Sequence, residues 1–251
     1  MARPIRDAEL KSPIRGPEDF AAAFGASRET LDRLAIYERL LRQWQKTINL
    51  VAPSTLDAIW HRHFADSAQL LPLAPEAATW VDLGSGAGFP GMVVAILLAN
   101  GVRPHARNLA LAADGAEGSD PTTPCVTLIE SNARKCAFLR EVVRQTRVSA
   151  RVTVDILSTR IEAAATQARL RGPDVVCARA LAPLDKLVKL ATPLSTSRTV
   201  GLFLKGRDAA TELKAAEKMW DFNAELVPSR TDPDARVVVI RHLQLKAQAK
   251  E

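Results

Sequence analysis

The residues most able to do chemistry lie between positions 80 and 91. Trp80, Val81, Asp82 and Leu83 form a short apolar run that enters Gly84, Ser85, Gly86, Ala87, Gly88, Phe89, Pro90 and Gly91, and an unbroken apolar stretch, 92–98, follows. That order predicts a strand, a glycine turn and a helix. Glycine is needed where the backbone turns sharply or where a ligand lies against the chain, and the helix behind it offers free N–H groups to a carboxylate or a phosphate. Spacing separates the ligand types. The dinucleotide pattern GxGxxG needs glycine at position 89, which is Phe89; the third glycine is Gly88, giving GxGxG with Asp82 two positions ahead. Glu130 closes the next apolar run, 126–130, where an acidic side chain in related α/β sites accepts hydrogen bonds from ribose hydroxyls. The usual gap to that acid is about 20 residues. Here a Gly-, Pro-, Ala- and Asp-rich stretch, 101–124, lengthens it and reads as a surface insertion.

The GxGxG loop with Asp82 resembles the first motif of S-adenosylmethionine (SAM)-dependent methyltransferases, in which the loop holds the methionine end of the cofactor. Asp82, Gly84, Gly86, Gly88, Phe89 and Glu130 are thus the first candidate cofactor residues. Against this stand a glycine turn that merely packs a helix on a strand, and a nicotinamide-dependent oxidoreductase, which Phe89 disfavours.

Other reactive side chains are less organised. Cys125, Cys136 and Cys177 form no CxxC pair and no cysteine–histidine cluster, so zinc is not expected and a reducing cytoplasm fits. Pro124 and Cys125 fall in the insertion and read as incidental rather than as a cytosine-methylating nucleophile. The Asp/Asn-Pro-Pro-aromatic motif used on adenine amines is absent from the sequence. His61 and His63, two apart on a helix, diverge too far to share a metal. Arg140, Arg144 and Arg147 recur at spacings of four and three on the helix after the second strand, a stripe that is either a solvated face or an RNA contact.

These residues need elements to position them. From Ser27, the positions Leu34, Tyr37, Leu41, Trp44 and Ile48 describe one face of an amphipathic helix that Pro53 ends. Ser54 with Asp57 reads as a capping pair for a second helical stripe through Leu56, Ile59, His63 and Leu70. After Pro72 and Pro75 short β-rich runs alternate with helices: 79–83, 126–130, 151–154, 174–178, 199–204, 224–227 and 236–241. The expected fold is α/β, a Rossmann-like seven-stranded sheet with a helical N-terminal extension. The predicted division is a flexible tail over 1–26, a helical region over 27–77 and the sheet domain over 78–251. A 47% hydrophobic content supports a packed core, and no apolar run approaches a membrane span or a signal peptide. The net charge of +6 suits a polyanionic partner.

Over about residues 30–242 the chain resembles the bacterial small-subunit ribosomal RNA methyltransferase G family, also called glucose-inhibited division protein B. The matching segments are Trp44 to Leu50 (WQKTINL), Arg62 to Ser67 (RHFADS), Val81 to Gly91, Thr159 to Glu162 (TRIE), Ala178 to Ala180 (ARA), and Lys205 with Gly206. The resemblance implies cofactor contacts at Gly84, Phe89, Ile161, Glu162 and Arg179, with Glu130 on the ribose. It places His63 and Asp66 in a segment facing the catalytic pocket. Asn49 and Lys205 would either hold the target base or satisfy buried backbone groups, and Arg179 would grip a carboxylate or phosphate at the rim. The implied reaction is methylation of guanine N7 in 16S rRNA of the small ribosomal subunit, by a monomer needing no metal. Three departures stand out: the 101–124 insertion, Gln45 where asparagine is usual, and the extended N-terminal tail. The competing class is a non-catalytic RNA-binding or ribosome-assembly protein that retains the cofactor fold.

Overall fold

The computed structural model describes residues 12–100, 123–163, 170 and 172–246. These form one seven-stranded sheet of order β3-β2-β1-β4-β5-β7-β6. Its strands are β1 (Thr79–Leu83), β2 (Cys125–Glu130), β3 (Thr153–Ser158), β4 (Val175–Arg179), β5 (Val200–Lys205), β6 (Trp220–Pro228) and β7 (Arg236–Leu245). The first five pair in parallel, and β7 inserts antiparallel between β5 and β6. Alternation along β1 splits the core into two layers. Trp80 joins the apolar layer that packs the N-terminal helices, whereas Val81 and Leu83 join the opposite layer.

The first layer is covered by α1 (Pro17–Phe24), α2 (Arg28–Trp44), α4 (Gly91–Leu98) and α5 (Ala133–Thr146), and the second by α6 (Leu184–Ala191) and α7 (Ala209–Ala216). Every residue of α4 is buried, as its unbroken apolar sequence requires. A single α turn, α3 (Asp66–Ala68), completes the helical region.

Three expectations change. Residues 17–24, assigned to the flexible tail, form a helix: Pro17 starts it, Glu18 and Asp19 occupy its first turn, Gly25 closes it in the left-handed region, and Phe20 and Phe24 enter the core. Pro17 and Gly25 therefore bound a helix inside the predicted tail. Ser27 does cap α2, accepting from the Thr30 N–H, but α2 ends at Trp44 rather than running to Pro53. Gln45 Oε1 accepts from the N–H groups of Leu50 and Val51 at 2.9 and 3.0 Å, which holds 45–51 as a turn and takes Ile48 off the helix. Beyond it the chain forms a 3-10 segment, Pro53–Ala58, and a π segment, Trp60–Ala65. Ala52 sits where Ser54 was expected to cap.

The strands expected at 79–83 and 126–130 fall within a residue of β1 and β2. That at 151–154 began two residues early and missed 155–158, and β6 and β7 are longer than their apolar centres indicate. Cys125 opens β2 instead of lying in the insertion, but at the strand's amino end. The rest of the insertion, 101–122, lies outside the described residues.

Candidate active site

A crevice of about 1330 Å³ opens at the carboxyl ends of the parallel strands, where ligands of open α/β sheets bind. Each strand delivers a residue to it: Gly84 after β1, Glu130 at the end of β2, Thr159 after β3, Arg179 at the end of β4 and Lys205 at the end of β5. His63 and Asp66 enter from the helical region, and Gly86, Phe89, Ile161 and Glu162 also line the space.

The three loop glycines have different surroundings. All take positive φ (65° at Gly84, 56° at Gly86, 96° at Gly88), which disfavours a side chain. A Cβ on Gly86 would meet only the Gly84 carbonyl, at 3.8 Å, and would stand in the crevice. A Cβ on Gly88 would fall 2.6 Å from the Tyr37 hydroxyl and 2.9 Å from both Leu139 and Met92. Gly86 therefore faces the crevice, and Gly88 faces the protein.

Asp82 does not line the crevice. It is fully buried beneath the loop, where its Oδ2 accepts from the Gly91 N–H at 3.0 Å while Oδ1 has no hydrogen-bond partner. Burial pushes its pKa up to about 7, against the lowering effect of the Gly91 N–H. Glu130 braces the same loop from the other side: Oε2 accepts from the Gly86 N–H at 2.9 Å and Oε1 from the Asn132 N–H at 2.7 Å.

Phe89 lies between two rings, 4.8 Å from the His63 centroid and 5.4 Å from that of Tyr37, each within 20° of parallel. The Tyr37 hydroxyl donates to the Ala87 carbonyl, so α2 clamps the glycine loop. The Arg179 guanidinium lies 4.8 Å from the Phe89 centroid. It donates to the Arg62 carbonyl at 3.0 Å, Asp66 Oδ2 at 3.2 Å and His63 Nδ1 at 2.7 Å. The Thr55 hydroxyl donates to the Ala52 carbonyl, leaving its oxygen to accept from His63 Nε2–H at 2.8 Å. His63 is thereby held as the neutral Nε2–H tautomer, and burial, then Arg179 and Arg62, push its pKa down to about 3.

Lys205 donates to the Ala182 carbonyl at 2.9 Å and pairs with Glu212 at 2.6 Å. Asn49 is exposed and lies outside the crevice, bordering a smaller hollow with Thr47, Ile48, Asn132, Arg134 and Lys135. The basic stripe on α5 is incomplete: Arg144 is bound to Glu141 at 2.6 Å, and Arg147 leaves the helix at φ 52°. His61 accepts from the Ile14 N–H and bonds the Thr231 carbonyl through Nε2, a structural role. Among the described residues no cluster of three or more His, Cys, Asp or Glu is arranged to hold a metal, and no helix is long and apolar enough to cross a membrane.

Residues 30–102 and 119–236 match the family described as rRNA small subunit methyltransferase G. The chain belongs to that family. It is 50% identical over 217 residues to the ribosomal RNA small subunit methyltransferase G of Methylorubrum populi, covering 86% of this chain and 90% of the relative. It is 48% identical over 229 residues to that of Parvibaculum lavamentivorans, covering 90% and 89%. A crystal structure of a methyltransferase from Geobacter sulfurreducens superposes with a TM-score of 0.51 at 14% identity, over 91% of this chain and 98% of that one, a likeness of fold.

Several residues that shape this methyltransferase site were not singled out in the sequence. Tyr37 showed only as a core position on a helix, since nothing local reveals that its hydroxyl meets a loop 50 residues away. Thr231 donates to Asp66 Oδ1 at 2.8 Å and Gln69 Nε2 to the same oxygen at 2.9 Å, which fixes the carboxylate that holds Arg179. Leu181 overhangs Gly84 and is 36% exposed.

Proposed function

We propose that this chain transfers the methyl group of SAM to N7 of a guanine in 16S rRNA of the small ribosomal subunit, in the cytoplasm. The observation that carries the reading is the open space over Gly86, facing Glu130 at the carboxyl end of the adjacent strand. The donor set fits the cofactor. Each Glu130 oxygen is engaged by one N–H and keeps a second acceptor site for a ribose hydroxyl. Ile161 supplies an apolar wall for the adenine, Glu162 lies beside it, and the backbone of Gly84 to Gly86 receives the amino-acid end.

When bound, SAM supplies an electrophilic methyl group on a sulfonium. Guanine N7 carries an in-plane lone pair at neutral pH, so the chain has no proton to remove and its contribution is position. Aligning two bound reactants lowers a barrier by roughly 7–11 kcal/mol. The site's fixed groups suit that task. His63 is neutral and engaged at both nitrogens, unavailable as a base.

Methylation leaves the purine cationic, so a bare cation beside it would oppose the reaction. Arg179 is matched by Asp66 and Lys205 by Glu212. These two side chains therefore act as positioning residues: Arg179 locks the 62–66 segment against Phe89, and Lys205 ties the turn after β4 to α7. Asn49 acts, if on substrate, from the neighbouring hollow. Mass spectrometry of 16S rRNA from cells with and without the chain tests the reading. One N7-methylguanosine is expected to disappear; an unchanged set of modified nucleotides overturns it.

A further inference from the structure

Eight Lys and Arg side chains line the crevice, and their partners differ. Arg62, Arg179 and Lys205 are paired with Asp232, Asp66 and Glu212 at 3.0, 3.2 and 2.6 Å. Lys186 and Lys189 also line the crevice but are exposed, and among the described residues neither has a carboxylate within salt-bridge distance. They stand three apart on α6, whose other face buries Leu184, Leu187, Val188 and Ala191, so both ammonium groups share the open side.

At the foot of this helix the chain turns through Ala180, at φ 52°, and sets Leu181 against the cofactor loop, with Cδ1 2.6 Å from the point where a Gly84 Cβ would stand. Of the three large apolar side chains exposed among the described residues (Leu181, Met219 and Leu245), Leu181 alone borders the crevice. A left-handed alanine is unfavourable in isolation.

We propose that the turn after β4 and the open side of α6 form a track for single-stranded RNA, in which Leu181 contacts the base presented to the donor and Lys186 and Lys189 hold flanking phosphates. The proposal rests on the methyltransferase reading above and names the surface that receives its substrate. Single-stranded nucleic acid is bound by cations along the backbone and by side chains, chiefly aromatic, packed on the faces of unstacked bases; the α6 wall offers the cations, with the apolar face of Leu181 in the second role. On the α5 stripe, by contrast, Arg144 is held by Glu141 and Arg147 has left the helix.

The test compares the full chain with Lys186→Gln/Lys189→Gln, Leu181→Ser and a control, Arg140→Gln/Arg144→Gln. Affinity for an unstructured oligoribonucleotide is measured against salt, SAM affinity by calorimetry, and methyl transfer on small subunits lacking the modification. The lysine pair is expected to flatten the log affinity against log salt slope by about 1.4, two phosphates at about 0.7 each, with SAM affinity unchanged. Leu181→Ser is expected to keep that slope and raise KM for subunits about three- to tenfold. A slope unchanged in the lysine variant, or lost in the Arg140/Arg144 control instead, overturns the track while an active wild-type chain upholds the function. A wild-type chain that transfers no methyl to small subunits overturns both.

Discussion

The Arg179 guanidinium donates to Nδ1 of His63 at 2.7 Å across 116 positions of sequence. Through this bond and the ones to Arg62 and Asp66, the end of β4 is fastened to the helical N-terminal region. Arg179→Lys keeps the charge but cannot reproduce a planar fork that serves three acceptors. Arg179→Ala leaves the Asp66 carboxylate, 18% exposed, without its cation. The alanine variant is expected to lose about 2–3 kcal/mol of stability, and lysine to restore less than half of it, as read by thermal unfolding. Methyl transfer should fall in both, more through kcat than through SAM affinity.

Two buried groups near the loop carry opposite pH dependences. His63 has its pKa depressed to about 3 from 6.5, so its contribution to stability is full above pH 6.5 and is lost as pH falls toward 3. Asp82 has its pKa raised to about 7 from 3.8, so its contribution is full below pH 3.8 and is lost as pH rises toward 7. Between those unfolded-state values the two slopes, each about 1.4 kcal/mol per pH unit, cancel. From pH 4 to 6.5, His63→Asn should lose stability relative to wild type as pH rises, and Asp82→Asn should gain it. Parallel melting profiles for the two variants across that range would contradict the buried, neutral assignment of both.

The loop glycines separate folding from binding. Gly88→Ala puts a methyl group into Tyr37, Leu139 and Met92 at φ 96° and is expected to cost about 3 kcal/mol or more. Gly86→Ala meets open space and should cost about 1 kcal/mol, the left-handed backbone alone. The Gly86 variant is expected to fold and yet fail to bind SAM by calorimetry. Normal SAM binding by Gly86→Ala would show that the donor does not lie against this loop.

Tyr37→Phe tests the clamp from α2. The ring and its stacking on Phe89 remain, but the buried Ala87 carbonyl loses its donor, a cost of about 1–3 kcal/mol. Melting temperature and SAM affinity should fall together. A loss of stability with unchanged SAM affinity would confine Tyr37 to packing.

Much of the site was legible because one stretch of chain carries strand, loop and helix in order, and glycine spacing reports backbone shape directly. Spacing alone could not tell Gly86 from Gly88, because the difference lies in what stands opposite the missing Cβ. The Arg179–His63–Asp66 cluster was suggested by family resemblance; its hydrogen bonds join segments more than 110 positions apart, beyond any local pattern. Arg179, expected to grip a carboxylate or phosphate at the rim, meets the Asp66 carboxylate together with the Arg62 carbonyl and His63 Nδ1, which engages three of its five N–H groups. Asp82, taken as a cofactor contact, braces the loop from below. In the N-terminal region the helix over 17–24 was not legible, because eight residues give too short a period to recognise.

The central claim is that a methyl group passes from SAM held at the Gly84–Gly88 loop to a guanine N7 in 16S rRNA. Small subunits lacking the modification, incubated with labelled SAM and the purified chain and then subjected to strand scission specific for N7-methylguanine, test it most directly. The account predicts label at a single scission site with the wild-type chain and none with Gly86→Ala. Label elsewhere than N7, or equal labelling by both proteins, would contradict it.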